Sequence, residues 1–174
     1  MRKSSSNVLP IAYTVVRILI ILNWIYAGVL VAILAASIVN EQWTFTALGV
    51  PIADQSSFLF MGMLAIVALG VVTVPLNLAI LRRLLAMVET VRAGDPFIAA
   101  NAYRLQAIAW VLFTLQCISL VIWAIGKAVS TPAHPLHLNA GFSPAGWLAV
   151  IMTFVLARVF AEGTLMREDL EGMV

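Results

Sequence analysis

Charged side chains are scarce in this sequence: Asp, Glu, Lys and Arg make up 10% of its 174 residues, against about 25% in an ordinary soluble domain. Apolar residues make up 63%. A water-soluble fold of this length has no interior large enough to hide so much apolar surface, so its solvent is expected to be lipid. Cysteine is nearly missing as well. The single Cys117 excludes an internal disulfide, and its place inside an apolar run says nothing of redox compartment. The only two histidines, His134 and His137, flank Pro135 in one loop that holds neither a cysteine nor a carboxylate. A metal would want further ligands, so no metal site is expected there. Haem in a membrane bundle commonly takes histidines from the spans, and a retinal-type Schiff base needs a lysine in one; these spans contain neither. No cofactor is expected, and neither a repeat nor a low-complexity tract organises the chain.

What the sequence does contain is long apolar runs. A spanning helix needs about 20 mostly apolar residues, and four stretches qualify: residues 15–39, 58–81, 107–126 and 145–160. The basic patch at Arg2 and Lys3 precedes a run as long as a full span with no small-residue cleavage signal, so an uncleaved first helix is expected in place of a signal peptide. Nine of the ten basic residues fall around the start of the first span, between the second and third, or around the end of the fourth, leaving Lys127 alone on the opposite side. The excess of Lys and Arg in cytoplasmic segments then puts both termini and the middle loop in the cytoplasm. The expected fold is an all-α, integral membrane four-helix bundle forming a single domain over residues 1–174.

The spans are expected to outrun the membrane on that side. Leu84, Val88 and Val91 continue one helical face beyond Leu81. Gly94 ends that helix, Asp95 is placed to cap the next, and Pro96 suits its first turn. Residues 82–106 therefore read as a helical hairpin, and residues 161–174 as a cytoplasmic tail. On the other side, residues 40–57 carry Trp43, Gly49, Pro51 and Asp54, the composition of irregular structure with an interfacial aromatic anchor. Ser143 and Pro144 restart a helix by the same capping logic. Within the second span, Thr73 and Pro75 predict a kink, with the threonine hydroxyl serving a freed carbonyl.

No carboxylate lies inside a span, which removes the usual mark of a proton or ion pathway. Arg17, one turn into the first span, can reach back to the headgroups. Asn23, Asn77 and Gln116 are neutral and suit hydrogen bonds between helices. The polar residues concentrate on the cytoplasmic side, on the hairpin and the tail. Asp95, Asn101, Arg104, Arg158, Glu162 and Asp169 are the residues expected to dock a partner. Membrane lipid is the other expected contact of this face, since lipid phosphates compete for exposed arginines.

The run Gly94-Asp95-Pro96-Phe97, followed by Asn101 and Arg104-Leu105, resembles the middle signature of bacterial membrane proteins grouped as domain of unknown function 2975. Val159-Phe160-Ala161-Glu162-Gly163 and Asp169-Leu170-Glu171-Gly172 resemble its ending, with Met173 departing from the small polar residue expected there. The resemblance covers nearly the whole chain and implies a four-span protein of the bacterial inner membrane with no catalytic residues. Members are often encoded beside a small helix-turn-helix regulator, which implies a cytoplasmic DNA-binding partner. The expected function is therefore non-enzymatic and regulatory, with no direct nucleic-acid binding. The alternative is a small transporter, channel or lipid-binding protein, and homo-oligomers are compatible with either. A lipid-active enzyme would need an acid–base pair at one membrane face, and both histidines face away from the acidic tail.

Overall fold

The computed structural model describes residues 8–47, 56–130 and 140–171. Within these residues the chain is all-helical: α1 (Val8–Val39), α2 (Glu41–Ala47), α3 (Ser57–Arg92), α4 (Ala99–Val129) and α5 (Pro144–Glu171). The four long helices have 32, 36, 31 and 28 residues, each more than the roughly 20 that a hydrocarbon core requires. All four are long and apolar enough to cross a membrane. Large apolar side chains such as Ile18, Ile21, Trp24, Ile25, Phe58, Ile151 and Met152 stand exposed along α1, α3 and α5. Ordinary soluble monomers rarely expose apolar surface on this scale; these are the features of a multipass membrane protein.

The helix ends follow local chemistry. Ser56 caps α3, its hydroxyl accepting from the Leu59 amide at 3.2 Å. The helix α5 begins at Pro144, directly after Ser143. At Pro75 the helix α3 continues without a break. The Thr73 hydroxyl donates to the Gly70 carbonyl at 2.7 Å, one residue short of the Val71 carbonyl that the proline leaves without its donor.

One expectation needs correction. Residues 41–47, read from composition as irregular, form the helix α2. Asn40 accounts for it: its side-chain oxygen accepts from the Trp43 amide at 3.0 Å, an N-cap set directly after α1. Gly49, Pro51 and Asp54, which prompted the irregular reading, lie outside the described residues.

The described residues gather into two compact units. One is drawn from Trp24–Pro75 and Leu115–Ser143. Its core is Phe45 of α2 with Leu59 and Met63 of α3 and Val129 of α4. Phe60 joins it through a tilted contact with Phe45, ring centres 6.0 Å apart. Gly62 is buried against Val129, whose side chain occupies the space a methyl group would need. Gly141, at φ +119°, lies under the Trp123 indole and donates its amide to the Ser119 hydroxyl at 3.1 Å.

The other unit takes α1 up to Asn23, Leu76–Thr114 and the residues from Pro144 onward. There α4 and α5 are joined by edge-to-face aromatic contacts: Trp110 meets Phe154 at 5.4 Å, and Phe113 meets Trp147 at 5.7 Å. Such pairs contribute about 0.5–1.5 kcal/mol each beyond the area they bury. Ala109 and Ala157 are buried beside them, small enough for close helix approach.

Gly62→Ala is expected to overpack the site against Val129 and destabilise the protein by about 1–3 kcal/mol. Thermal unfolding in detergent, followed by circular dichroism, would register this as a lower midpoint. In a double-mutant cycle with Val129→Ala the two losses should be less than additive. Strict additivity would mean that the two residues do not share the space.

Candidate functional site

The end of α3 is the starting point. Gly94 sits at φ +87°, in the left-handed region that a side chain disfavours. The Asp95 amide donates to the Thr90 carbonyl at 3.1 Å and the Gly94 amide to the Val91 carbonyl at 3.1 Å. This pair of bonds is a Schellman motif, and it turns the chain out of α3 at the glycine.

The next helix does not start where the capping pattern places it. Asp95, Pro96, Phe97 and Ile98 are non-helical, and α4 begins at Ala99. The Asn101 amide donates to the Ile98 carbonyl at 2.9 Å, so Ile98 stands at the helix entrance. Asp95 is therefore not the cap. Its carboxylate is bound instead by Arg167 of α5, 72 positions along the chain. Proline disfavours helical conformation in the residue before it, which keeps Asp95 extended toward that arginine.

Asn101 holds the turn together from within. It is completely buried. Its Nδ2 donates to the Thr90 hydroxyl at 2.7 Å and to the Pro96 carbonyl at 2.9 Å. Its Oδ1 accepts from Arg104 Nη1 at 2.8 Å. Thr90 in turn donates to the Met87 carbonyl at 2.8 Å. One side chain thus joins the last turns of α3, the linker and the first turns of α4, with both amide hydrogens used.

The two segments that carry the family resemblance meet here. Phe97 packs on Phe160, ring centres 5.3 Å apart. A Cβ on Gly163 would lie 3.0 Å from the Phe97 ring, so the glycine provides the room in which that ring sits. With the Asp95–Arg167 pair, these contacts fix α5 against the hairpin. The ion pair is partly exposed on both sides and such pairs are worth about 0–1 kcal/mol. The tilted ring pair supplies more of the adhesion, and the ion pair adds a specific link between the two segments.

Of the six residues expected to dock a partner, the structure places Asp95 and Arg104 half-buried and already engaged, and Asn101 in the interior. Asn101 is a positioning residue for the turn and offers nothing to a surface. Arg158 and Glu162 pair across one turn of α5 at 2.5 Å and stay largely exposed, while Asp169 is exposed one helical stretch further on. Beside them runs a groove of about 420 Å³ between α4 and α5. Its floor includes Ala102, Ala157 and Ala161, and its polar margin includes Tyr103, Gln106, Arg158 and Glu168. Sequence reasoning passed over Thr90 and the role of Gly163, since neither bond nor contact leaves a trace in local pattern. Among the described residues no three His, Cys, Asp or Glu side chains gather to hold a metal; His134 and His137 lie outside them.

Set against known proteins, the sequence matches no family model, no curated protein and no solved structure.

Asn101→Ala should strand the Pro96 carbonyl and the Arg104 guanidinium and destabilise the protein by about 1–3 kcal/mol. Arg158→Ala, which removes an exposed pair, should change stability by no more than about 0.5 kcal/mol. Unfolding midpoints measured side by side in one detergent would test the contrast, and equal midpoints would remove Asn101 from its structural role.

Proposed function

We propose that this chain is a non-enzymatic, four-span protein of a bacterial cytoplasmic membrane that docks a cytoplasmic protein on the end built by the hairpin and α5. Both termini and the hairpin face the cytoplasm, a reading supported by the nine-to-one division of basic residues. Membership in the domain of unknown function 2975 family is part of the same proposal, and so is its implied partner, a helix-turn-helix transcriptional regulator. The observation that carries the docking reading is the convergence of the two resemblance segments through Asp95–Arg167, Phe97–Phe160 and Phe97–Gly163. Beside that junction the alanine-floored groove admits a helix backbone closely, and Arg158 and Glu168 offer charge of both signs at its margin. A regulator's amphipathic helix matches this chemistry. Binding there would be regulatory if the groove differs between two packings of α4 and α5, each with its own affinity for the partner.

The partner test uses internally tagged protein in detergent, so that the acidic tail stays free. A soluble DNA-binding protein should co-purify in stoichiometric amount. Arg158→Glu combined with Asp169→Arg should abolish that capture, because neither residue is needed for the buried turn; undiminished capture would sink the docking reading. Orientation is tested separately in a Cys117→Ser background carrying Ala93→Cys at the exposed hairpin turn. An impermeant maleimide should label inverted vesicles and leave intact cells unlabelled, and the reverse pattern would overturn the topology.

A further inference from the structure

Arg17 lies in the middle of an exposed apolar stretch of α1. Ile18 beside it and Ile21, one turn further along its own face, are both exposed, so its charge borders side chains suited to lipid. Its guanidinium carbon sits 4.7 Å from the centre of the Tyr13 ring, one turn earlier on the same helix. The guanidinium of Arg92, from the last turn of α3, lies 5.1 Å from that same ring centre. A single tyrosine thus gathers two cations from two helices.

Like charges held this way repel. Sharing one ring keeps them within about 10 Å, the Debye length at 0.1 M salt, so solvent ions screen them only in part. The ring quadrupole offsets some of this, at about 0.5–1 kcal/mol per exposed cation–π contact. No carboxylate completes the balance: among the described residues neither Arg17 nor Arg92 forms an ion pair. Glu89, one turn before Arg92, is exposed and pairs with neither. Two guanidiniums drawn to one ring, with exposed apolar side chains beside them, present the donor set of a phosphate site.

We propose that Arg17 and Arg92, positioned by Tyr13, bind the phosphate of an anionic phospholipid. The inference rests on the membrane-spanning reading above and adds a specific ligand site to it. The lipid's diester phosphate accepts from both guanidiniums, and its acyl chains run along Ile18 and Ile21. The site is separate from the groove between α4 and α5, so lipid bound there leaves the docking surface open.

The test is lipid titration of the purified full chain in detergent, with bound lipid counted by native mass spectrometry. Dioleoylphosphatidylglycerol should bind in preference to zwitterionic dioleoylphosphatidylcholine. The variant R17Q/R92Q should lose about tenfold or more in phosphatidylglycerol affinity, the scale of one lost charge-assisted contact. R17K/R92K keeps the charge without the planar fork and should fall between; it also serves if the glutamine variant does not fold. Arg82→Gln, an exposed arginine outside the site, should leave the affinity unchanged, and an equal loss there would replace a defined site with diffuse charge and overturn the proposal. Tyr13→Leu should weaken binding while Tyr13→Phe preserves it. Equal retention of both lipids, or no effect of R17Q/R92Q, would also overturn it. Inorganic phosphate displacing the lipid at matched concentration would assign the site to a soluble anion and reject the lipid. Because binding is read in detergent without a partner, neither failed partner capture nor reversed insertion changes the outcome.

Discussion

A buried carboxamide governs this end of the molecule. In a protein with so few polar side chains, leaving an amide hydrogen or carbonyl without a partner away from water costs about 1–3 kcal/mol. Asn101 meets that constraint on three sides, with Thr90, Pro96 and Arg104. A leucine of similar size would leave the Pro96 carbonyl and the Thr90 hydroxyl to find other partners. The direction in which α4 leaves the turn follows from that requirement. So does the position of Phe97, which the linker delivers to Phe160 and Gly163.

Division of labour among the contacts follows from their magnitudes. The exposed pairs Arg158–Glu162 and Asp95–Arg167 are worth little as adhesion, and the aromatic contacts between α4 and α5 are worth more. Charge on this end therefore adds little to the adhesion, whereas the rings and the buried amide maintain geometry. Arg83 illustrates the economy of the arginines near the apolar spans: its guanidinium curls back to the Ala79 carbonyl of its own helix at 2.9 Å. Arg17 has no such local carbonyl bond and turns to a tyrosine shared with Arg92.

The helices were legible in the sequence because length and apolarity are local properties. Gly94 was legible as a helix stop for the same reason: only a residue without a side chain takes φ +87° easily. The start of α4 was misread because Asp-Pro has the local form of a cap and first turn, while the partner that draws Asp95 away is Arg167. The helix α2 was missed because Gly49 and Pro51 dominated the composition of its window, and its cap, Asn40, sits directly after α1. Among the site residues, the polar cluster could be seen, but not its division into inside and outside. A polar residue in a sequence ordinarily reads as exposed, and the burial of Asn101 depends on three partners that no spacing rule connects.

The hydrogen-bonded turn has a further property, one of timing during synthesis. Every member of it, from Met87 to Arg104, lies within a short contiguous stretch of chain. Closing so small a loop carries little entropic penalty, and none of its bonds awaits α5. The end of α3 and the start of α4 can therefore leave the ribosome and settle as a formed hairpin. The last helix then arrives at a surface already shaped to receive Phe160, Gly163 and Arg167.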